Sequence, residues 1–173
     1  MSEQAPVFIG VGSNIDPEEN VPRALEYLAR HITLTAVSTF YRTAPIARPE
    51  QDSYLNGVVA AMTHMSPRAL KTDILCSIEL TCGRTHTEDK YAARTIDLDL
   101  LLYGNPSIHE PALKIPHPDI RERSFVSVAL YELAPDIILP DTQEPLSEVV
   151  RDQMDDMQPD GDFTRRLRER LKL

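Results

Sequence analysis

The chain has 173 residues, a formal net charge of −9 at pH 7, and 42% hydrophobic and 26% charged residues. This length suits one domain with its own hydrophobic core, and the composition is that of an ordinary soluble globular protein. The negative charge argues against a general nucleic-acid or membrane-surface binder, because both functions need a basic face.

The first part of the chain predicts a strand, a helix and a second strand. Residues 7–9 are a short apolar run that ends in a glycine turn, which is typical of a buried strand. The helix that follows directs apolar residues at 25–29 toward the core. Its start is open between Asp16 and Asn20 as the cap, because the earlier start leaves a proline inside the helix. Residues 32–41 are rich in β-branched side chains and predict the second strand.

The middle of the chain alternates loops with one strand and one helix. Residues 43–53 contain two prolines and predict a long loop, and residues 55–65 predict a third strand. Ser66, followed by proline, begins a helix that Gly83 closes. Residues 84–93 are polar and predict a second loop.

The remaining elements complete a recognisable order. Residues 95–103 predict a fourth strand, and residues 123–133 a third helix. The charged tail, residues 160–173, predicts either a surface helix or a frayed end. The order β-α-β-β-α-β predicts an α+β, ferredoxin-like sandwich with an antiparallel sheet and additional C-terminal helices. We expect residues 1–173 to form one domain, with the tail from about residue 150 peripheral to it.

Targeting and redox signals are consistent with a cytoplasmic protein. The sequence contains no run of about 18 apolar residues, and its start lacks the basic-then-apolar pattern of a signal peptide. Cys76 and Cys82 lie on different faces of one predicted helix, which disfavours a disulfide. Two free thiols fit a reducing compartment. From the acidic net charge and the lack of a long apolar run, we expect no membrane or nucleic-acid partner.

The fourth predicted strand carries an unusual pair of carboxylates. Asp97 and Asp99 point to the same face, whereas Ile96 and Leu98 point to the opposite, buried face. The two carboxylates are then about 7 Å apart along the strand. One interpretation is a magnesium site, because Mg²⁺ binds one or two carboxylates together with substrate phosphates. The other is that both side chains face solvent on an edge strand.

Arginines surround this pair in the sequence. Arg84 and Arg94 precede it, and Arg121 and Arg123 follow it. The planar guanidinium group binds two phosphate oxygens at once, so the pattern fits phosphate transfer. The alternative is surface arginines in weak ion pairs, and spacing alone does not decide. His117, between two prolines, is either a ligand contact or a structural residue of the turn.

Signatures of other phosphate-binding and hydrolytic classes are missing from the sequence. It has no P-loop motif, and its glycine turn at residues 10–14 lacks the third glycine of a dinucleotide fingerprint. It also lacks the nucleophile elbow of α/β-hydrolases. The glycine turn by itself is therefore interpreted as structural.

Several short motifs nevertheless occur in a specific order. In chain order they are Gly12-Ser13-Asn14, Phe40-Tyr41-Arg42-Thr43-Ala44-Pro45, Tyr54-Leu55-Asn56, Glu79-Leu80-Thr81-Cys82-Gly83-Arg84, Arg94-Thr95-Ile96-Asp97-Leu98-Asp99, Pro116-His117-Pro118, and Arg123-Ser124-Phe125 leading into Glu132-Leu133-Ala134-Pro135. This set resembles the 6-hydroxymethyl-7,8-dihydropterin pyrophosphokinase family, from Gly10 to about Asp141. The resemblance implies transfer of pyrophosphate from ATP to the pterin hydroxyl, in folate biosynthesis.

The resemblance also implies roles for the residues around the carboxylates. Asp97 and Asp99 would be catalytic and would bind two Mg²⁺ ions that bridge the ATP phosphates. Arg84 and Arg94 would be catalytic as well. The residues that it implies for ATP binding are Glu79, Arg84, Tyr91, Arg94, His117 and Arg123.

A second group is implied for the pterin. Tyr54 and Phe125 would sandwich the ring, and Asn56 would pair with its polar edge, because flat heteroaromatic rings stack on aromatic faces and an amide both donates and accepts. Without the resemblance, core packing is the alternative for the two aromatic residues. The backbone groups implied to complete the pocket are those around Thr43, Ala44 and Ile46. We expect a monomer.

The sequence departs from the family pattern just before Arg94. The family usually has Lys-Trp-Gly-Pro there, whereas this chain has Lys90-Tyr91-Ala92-Ala93, and His86 stands where an arginine can occur. Tyrosine covers less ring area than tryptophan, and two alanines lack the stiffness of Gly-Pro, so slower loop closure is expected. Two rival functions remain: a non-catalytic pterin or nucleotide binding module, and a metal-dependent phosphohydrolase.

Overall fold

The architecture is a layer of β-strands with helices packed against it, seen in a computed structural model that describes residues 3–151 and 157–173. The strands are β1 (Ala5–Ser13), β2 (Thr33–Val37), β3 (Tyr41–Thr43), β4 (Tyr54–Thr63), β5 (Asp97–Tyr103), β6 (Ile108–Glu110), β7 (Leu113–Ile115) and β8 (Met157–Pro159). The helices are α1 (Pro17–Leu28), α2 (Pro67–Ala69), α3 (Cys76–Thr81), α4 (Asp119–Glu122), α5 (Ser124–Leu133), α6 (Leu146–Arg151) and α7 (Gly161–Leu171), with a π-helical turn, Leu70–Leu75, between α2 and α3.

The main sheet is antiparallel and has the strand order β5-β1-β4-β3-β8, with β2 also paired to β4. The α+β, ferredoxin-like class is confirmed, and so is the predicted β-α-β-β-α-β order when β2 and β3, which both pair with β4, are counted as one interrupted strand. Consecutive residues of β1, such as Ile9, Gly10 and Val11, are buried, so both faces of the central sheet are covered. The smaller β6–β7 hairpin, which the sequence pattern did not predict, stands apart from this sheet.

The predicted strand at residues 32–41 is in fact two strands, β2 and β3, that pair with the same neighbour. Between them the Ser38 hydroxyl accepts the Val58 N–H at 2.9 Å, which replaces a backbone ladder bond. Phe40 follows, fully buried, with its ring against Gly57. A side-chain hydrogen bond and a core aromatic residue therefore interrupt a stretch whose composition is otherwise uniformly β-forming.

Helix boundaries follow the predicted caps, with one difference. Helix α1 begins at Pro17 after Asp16, and Asn20 lies inside the helix, so the earlier of the two starts is correct. The second helix begins at Ser66, whose Oγ accepts the Ala69 N–H at 3.2 Å, but it contains the π-helical turn. Within this turn Leu75 is fully in the core, whereas Ile74 is only partly buried against it.

The tail is a helix with a buried face. In α7, Phe163 and Leu167 are buried, and the Phe163 ring contacts Phe40 edge-on with centroids 5.4 Å apart. The prediction that left a surface helix or a frayed end open is resolved in favour of a packed helix, because its apolar residues recur with helical spacing. Part of the tail, residues 152–156, lies outside the described residues.

Two further features concern possible membrane-spanning helices and the two cysteines. Among the residues that the structure describes, no helix combines the length and apolar character needed to cross a membrane. Cys76 and Cys82 are both free cysteines. Burial raises the pKa of both thiols.

The contact between Gly57 and Phe40 predicts a stability effect. A Cβ atom at Gly57 would lie 2.5 Å from Phe40 Cε2 and 2.6 Å from Cδ2. Because the ring is buried, we expect Gly57→Ala to lower the free energy of unfolding by about 1–3 kcal/mol in a urea titration. Gly161→Ala is the control, since nothing lies within 4 Å of its added methyl group. Equal stabilities of the two variants would contradict the expected clash.

Candidate active site

A cavity of about 460 Å³ opens where β1, β4 and β5 meet the two long loops. The residues predicted for the site that line it are Thr43, Ala44, Ile46, Tyr54, Asn56, Arg84, Tyr91, Arg94, Asp97, Asp99, His117, Arg123 and Phe125. Residues from distant parts of the chain therefore meet at one place. Glu79 is buried behind the wall, and Arg121 lies elsewhere.

The two carboxylates of β5 occupy the same side of the strand. Leu98 and Leu100, which alternate with them, are buried, whereas Asp97 and Asp99 line the cavity. Strand alternation predicts this arrangement. The pair lies next to β1, where Gly12 is opposite Asp97. The space that a side chain at Gly12 would need is taken by Asn56 Oδ1.

Arginines neutralise the first of these carboxylates. Asp97 Oδ1 accepts a hydrogen bond from Arg84 Nη1 at 2.8 Å, and Oδ2 accepts one from Arg94 Nη1. All three side chains are partly buried, so these charges are screened less than surface pairs. Both arginines are thereby held at the cavity, beside the carboxylates.

Glu79 contacts Arg84 and the backbone of β5 behind the cavity wall. Its Oε1 accepts a hydrogen bond from Arg84 Nη1 at 2.5 Å and from the Leu98 N–H at 2.8 Å. Burial raises the pKa of Glu79 to about 7. The sequence placed Glu79 near the nucleotide, whereas its contacts here are with Arg84 and the backbone of β5.

A third acidic group faces the second carboxylate. His117 Nε2 is 3.8 Å from Asp99 Oδ1, and its Nδ1 is 3.9 Å from Asp119 Oδ2. The Asp119 N–H donates to Nδ1 at 3.2 Å, so the proton of a neutral imidazole lies on Nε2, toward Asp99. Burial lowers the pKa of His117, which favours that neutral form.

The two carboxylates beside His117 could hold a cation, whereas the imidazole has Nε2 protonated and Nδ1 occupied by the Asp119 N–H. Asp99, His117 and Asp119 offer ligand atoms that all lie within 4.8 Å of one another. Burial and the nearby charge of Asp97 raise the pKa of Asp99 to about 8. Carboxylate oxygens suit a hard divalent ion, so the residues present fit one. Sequence reasoning missed Asp119, although it follows the Pro-His-Pro motif directly.

The opposite side of the cavity is less charged. Asn56 is buried, its Nδ2 donates to Thr43 Oγ1 at 2.7 Å, and its Oδ1 occupies the space where a Cβ atom of Gly12 would lie, at 2.6 Å. Tyr54 and Phe125 are partly buried and line the same region. Fixed amide and aromatic surfaces of this kind fit a flat heteroaromatic ring.

Hydrogen bonds connect the two loops above the cavity. Gln51 Nε2 donates to the Tyr91 carbonyl at 2.9 Å, and Arg48 forms an ion pair with Asp89 at 2.6 Å. The Asn14 side chain donates to Gln51 Oε1 at 3.1 Å and accepts the backbone N–H of Arg94 at 2.8 Å. The sequence-derived site contained neither Gln51 nor Asn14, although Asn14 belongs to the noted Gly-Ser-Asn motif.

One arginine of the sequence pattern does not belong to the cavity. Arg121 binds both carboxylate oxygens of Asp141 at 3.0 Å and contacts Glu144 at 3.4 Å. For Arg121 the surface ion pair, rather than phosphate binding, is therefore the correct alternative. Arg123, two residues later, does line the cavity and lies 3.9 Å from Asp119.

The fold and the cavity together define the class of protein. It is an α+β domain whose cavity has carboxylates and arginines at one end and an amide and aromatic rings at the other. Residues 8–135 match the sequence model of the 7,8-dihydro-6-hydroxymethylpterin-pyrophosphokinase family. The chain belongs to this family.

Named relatives cover most of the chain. It is 39% identical over 139 residues to the 2-amino-4-hydroxy-6-hydroxymethyldihydropteridine pyrophosphokinase of Haemophilus influenzae, covering 79% of this chain and 86% of the relative. It is 36% identical over 157 residues to the enzyme of the same name from Methylorubrum extorquens, covering 89% and 94%.

Solved structures agree in fold. Wild-type HPPK-DHPS of Plasmodium falciparum aligns with a TM-score of 0.69 at 10% identity, over 100% of this chain and 47% of that one. An HPPK-DHPS complex with substrates aligns with a TM-score of 0.66 at 14% identity, over 99% and 45%. This chain thus spans a little under half of each of those longer chains, and the likeness concerns the fold.

The burial of Glu79 predicts a pH dependence of stability. The folded protein binds this proton more tightly than the unfolded chain, since the pKa rises from 4.5 to about 7. The resulting stabilisation is fully present below about pH 4.5 and is lost as the pH rises through about 7. We expect the unfolding free energy of wild type, relative to Glu79→Gln, to fall on the order of 2 kcal/mol over this range.

Denaturant titrations at several pH values measure this difference. Glu110→Gln is the control, because Glu110 is a more exposed carboxylate paired with Arg68. If the wild-type and Glu79→Gln curves stay parallel between pH 4.5 and 7.5, folding does not raise the pKa of Glu79 and the expectation is wrong.

Proposed function

We propose that this protein transfers the pyrophosphate group of ATP to the hydroxyl of 6-hydroxymethyl-7,8-dihydropterin, giving AMP and the pterin diphosphate in folate biosynthesis. It is then an ATP-dependent diphosphokinase. Membership of the family supports this reaction. The observation that carries it is the single cavity that joins Asp97, Asp99, Arg84 and Arg94 to an amide-and-aromatic subsite.

The acidic end of the cavity is the proposed ATP end. Asp97 and Asp99 would hold two Mg²⁺ ions, and Asp119 adds a nearby carboxylate. When bound, Mg²⁺ supplies charge neutralisation for the phosphates and lowers the pKa of the attacking hydroxyl. Arg84 and Arg94, which pair with Asp97 in the free protein, bind phosphate oxygens in the proposed complex. Arg123 also binds phosphate oxygens there, from another wall of the cavity.

His117 and Tyr91 complete the proposed nucleotide contacts. The neutral His117 presents its Nε2–H toward the acidic end and donates a hydrogen bond to a phosphate oxygen. Tyr91 covers part of the nucleotide from its loop. Glu79 contributes through Arg84, whose guanidinium group it orients.

The opposite end is the proposed pterin subsite. Tyr54 and Phe125 stack on the two faces of the ring, and Asn56 pairs with its polar edge. The Thr43 hydroxyl holds the Asn56 amide in place, because it accepts one amide hydrogen at 2.7 Å. Backbone groups around Ala44 and Ile46 close the remaining edge of the subsite.

The distance between the two proposed subsites supports direct transfer between the substrates. Asp97 and Asn56 both pair with Gly12 across neighbouring strands, which puts their Cα atoms about 10 Å apart. The pterin hydroxyl attacks the β-phosphorus in line, the bond to the bridging oxygen of the α-phosphate breaks, and AMP leaves. The arginines stabilise charge on the transferring group, and no side-chain base is required.

The remaining parts of the proposal concern the exclusion of water, the oligomeric state and the cellular location. The loops joined by Gln51 and Tyr91 cover the cavity and keep water from competing as the nucleophile. One chain supplies both subsites, which supports a monomeric, single-domain enzyme. The free thiols Cys76 and Cys82 support a cytoplasmic location.

One assay separates this function from its rivals. Protein, ATP, Mg²⁺ and 6-hydroxymethyl-7,8-dihydropterin are mixed, and AMP and pterin diphosphate are quantified by chromatography. The proposal predicts equal amounts of both products, and no AMP when the pterin is omitted. AMP or ADP without pterin would indicate a phosphohydrolase, and pterin or nucleotide binding without any AMP would indicate a binding module.

Removing either candidate metal ligand should abolish most of the activity. We expect Asp99→Asn and Asp97→Asn to lower kcat roughly a thousandfold, the scale seen when charge stabilisation of phosphoryl transfer is lost. Asp97→Asn also weakens two ion pairs, so Asp99→Asn is the sharper variant. Asp141→Asn is the control, because Asp141 pairs with Arg121 outside the cavity. Near-normal turnover of Asp99→Asn at saturating Mg²⁺ contradicts the assignment.

A further inference from the structure

The C-terminal segment completes the sheet beside the proposed pterin subsite. Strand β3 has only three residues and is paired on both edges: Thr43 lies opposite Tyr54 of β4 and opposite Met157 of β8. Residues 157–171 lie beyond the segment that matches the family, which ends at residue 135. A strand held by so few ladder bonds depends on both neighbours for its position.

Asp160 joins this edge strand to the last helix. Its Oδ1 accepts the Phe163 N–H at 3.0 Å, which caps α7, and its Oδ2 accepts the Arg42 Nε–H of β3 at 3.0 Å. Its backbone N–H donates to the Phe40 carbonyl at 2.8 Å. One side chain therefore ties the start of a helix to the middle residue of β3.

Further contacts hold α7 on the same strand. Thr164 Oγ1 accepts the Phe40 N–H at 2.9 Å, and the Phe163 ring contacts the Phe40 ring. These groups are buried, so they cannot exchange their partners for water without cost. The connection between α7 and β3 is thus a packed interface rather than a loose surface contact.

We propose that Asp160 is a positioning residue for the pterin subsite: through Arg42 and Phe40 it fixes β3, and through β3 it fixes the Thr43 hydroxyl that orients Asn56. The inference rests on the proposed function, since it takes Asn56 and Thr43 as pterin-binding groups. Asp160 itself does not line the cavity.

The effect should be confined to one half of the cavity. Asn56 of β4 is two strands away from β5, which carries Asp97 and Asp99, and Thr43 of β3 is three strands away. Strand β5 is held by β1 and by the arginine pairs, none of which involves β8 or α7. A shift of β3 therefore changes pterin affinity and leaves nucleotide affinity largely unchanged.

The ion pairs around Arg42 differ in their contributions. Arg42 also contacts Glu18 at 2.8 Å, but the Glu18 side chain is 59% exposed, against 22% for Asp160. Ion pairs between exposed side chains contribute little to stability. The partly buried Asp160 pair, reinforced by the helix cap, is the one expected to fix β3.

Full-length Asp160→Ala and Asp160→Asn test this role by binding. Titration calorimetry measures the Kd of 6-hydroxymethylpterin in the presence of α,β-methylene-ATP and Mg²⁺, and separately the Kd of α,β-methylene-ATP with Mg²⁺. For Asp160→Ala we expect the pterin Kd to rise about tenfold, within the range of coupling energies between groups in one network. The nucleotide Kd should stay within about twofold of wild type, less than 0.5 kcal/mol.

Two further variants make the result specific. Asp160→Asn keeps an oxygen for the helix cap but loses the charge facing Arg42, so its pterin Kd should lie between wild type and Asp160→Ala. Arg170→Gln is the matched control, since it breaks an ion pair that holds the same helix to Glu26 of α1, at 2.6 Å. It should leave the pterin Kd unchanged. If Asp160→Ala does not fold, Asp160→Asn and Arg170→Gln decide the question.

Three results overturn the proposal. They are an unchanged pterin Kd in a folded Asp160 variant, equal weakening of both ligands, and the same pterin effect in Arg170→Gln. Failure of the proposed function looks different, because wild type itself would then bind no pterin or release no AMP in its presence.

Discussion

The pairing of Asp97 with Arg84 and Arg94 is the interaction on which the candidate site depends. Two carboxylates on one face of a partly buried strand repel each other, and the nearby acid Asp119 adds to this repulsion. The two arginines neutralise one carboxylate directly. The chain can therefore fold with an acidic cluster in place before any cation or nucleotide arrives, and the same arginines lie where phosphate oxygens are expected.

The sheet arranges the two ends of the cavity around a missing side chain. Gly12 of β1 lies between Asp97 of β5 and Asn56 of β4 in one row of paired residues. Asn56 Oδ1 occupies the space that a Cβ atom at Gly12 would need. Charge is thus concentrated on one side of the row and neutral polar groups on the other, as two chemically different substrates require.

The C-terminal segment extends this arrangement beyond the part of the chain that matches the family. Strand β8 and helix α7 bind the outer edge of β3, through backbone pairing, the Asp160–Arg42 ion pair and the Phe40–Phe163 contact. The proposed pterin side of the cavity is therefore supported from the outer edge of the sheet. The proposed nucleotide side instead depends on β1 and on charge pairing.

Some features follow from local sequence because local backbone geometry fixes them. The alternation around Asp97 sets which residues share a face, and the caps at Ser66 and Gly83 set the helix ends. The β-α-β-β-α-β order, and with it the fold class, follows from such periodicities, which span only a few residues. The motifs shared with the family indicated the residues that meet in the cavity.

The tertiary structure alone decided which partner each charged group takes. Arg121 and Arg123 look equivalent in sequence, yet the fold brings Asp141 to the first and the cavity to the second. The break at Ser38 and the packing of α7 likewise depend on partners far along the chain, Val58 and Phe40. Hydrogen bonds and ion pairs act over a few ångströms, so residues distant in sequence become partners only after the sheet has brought them together.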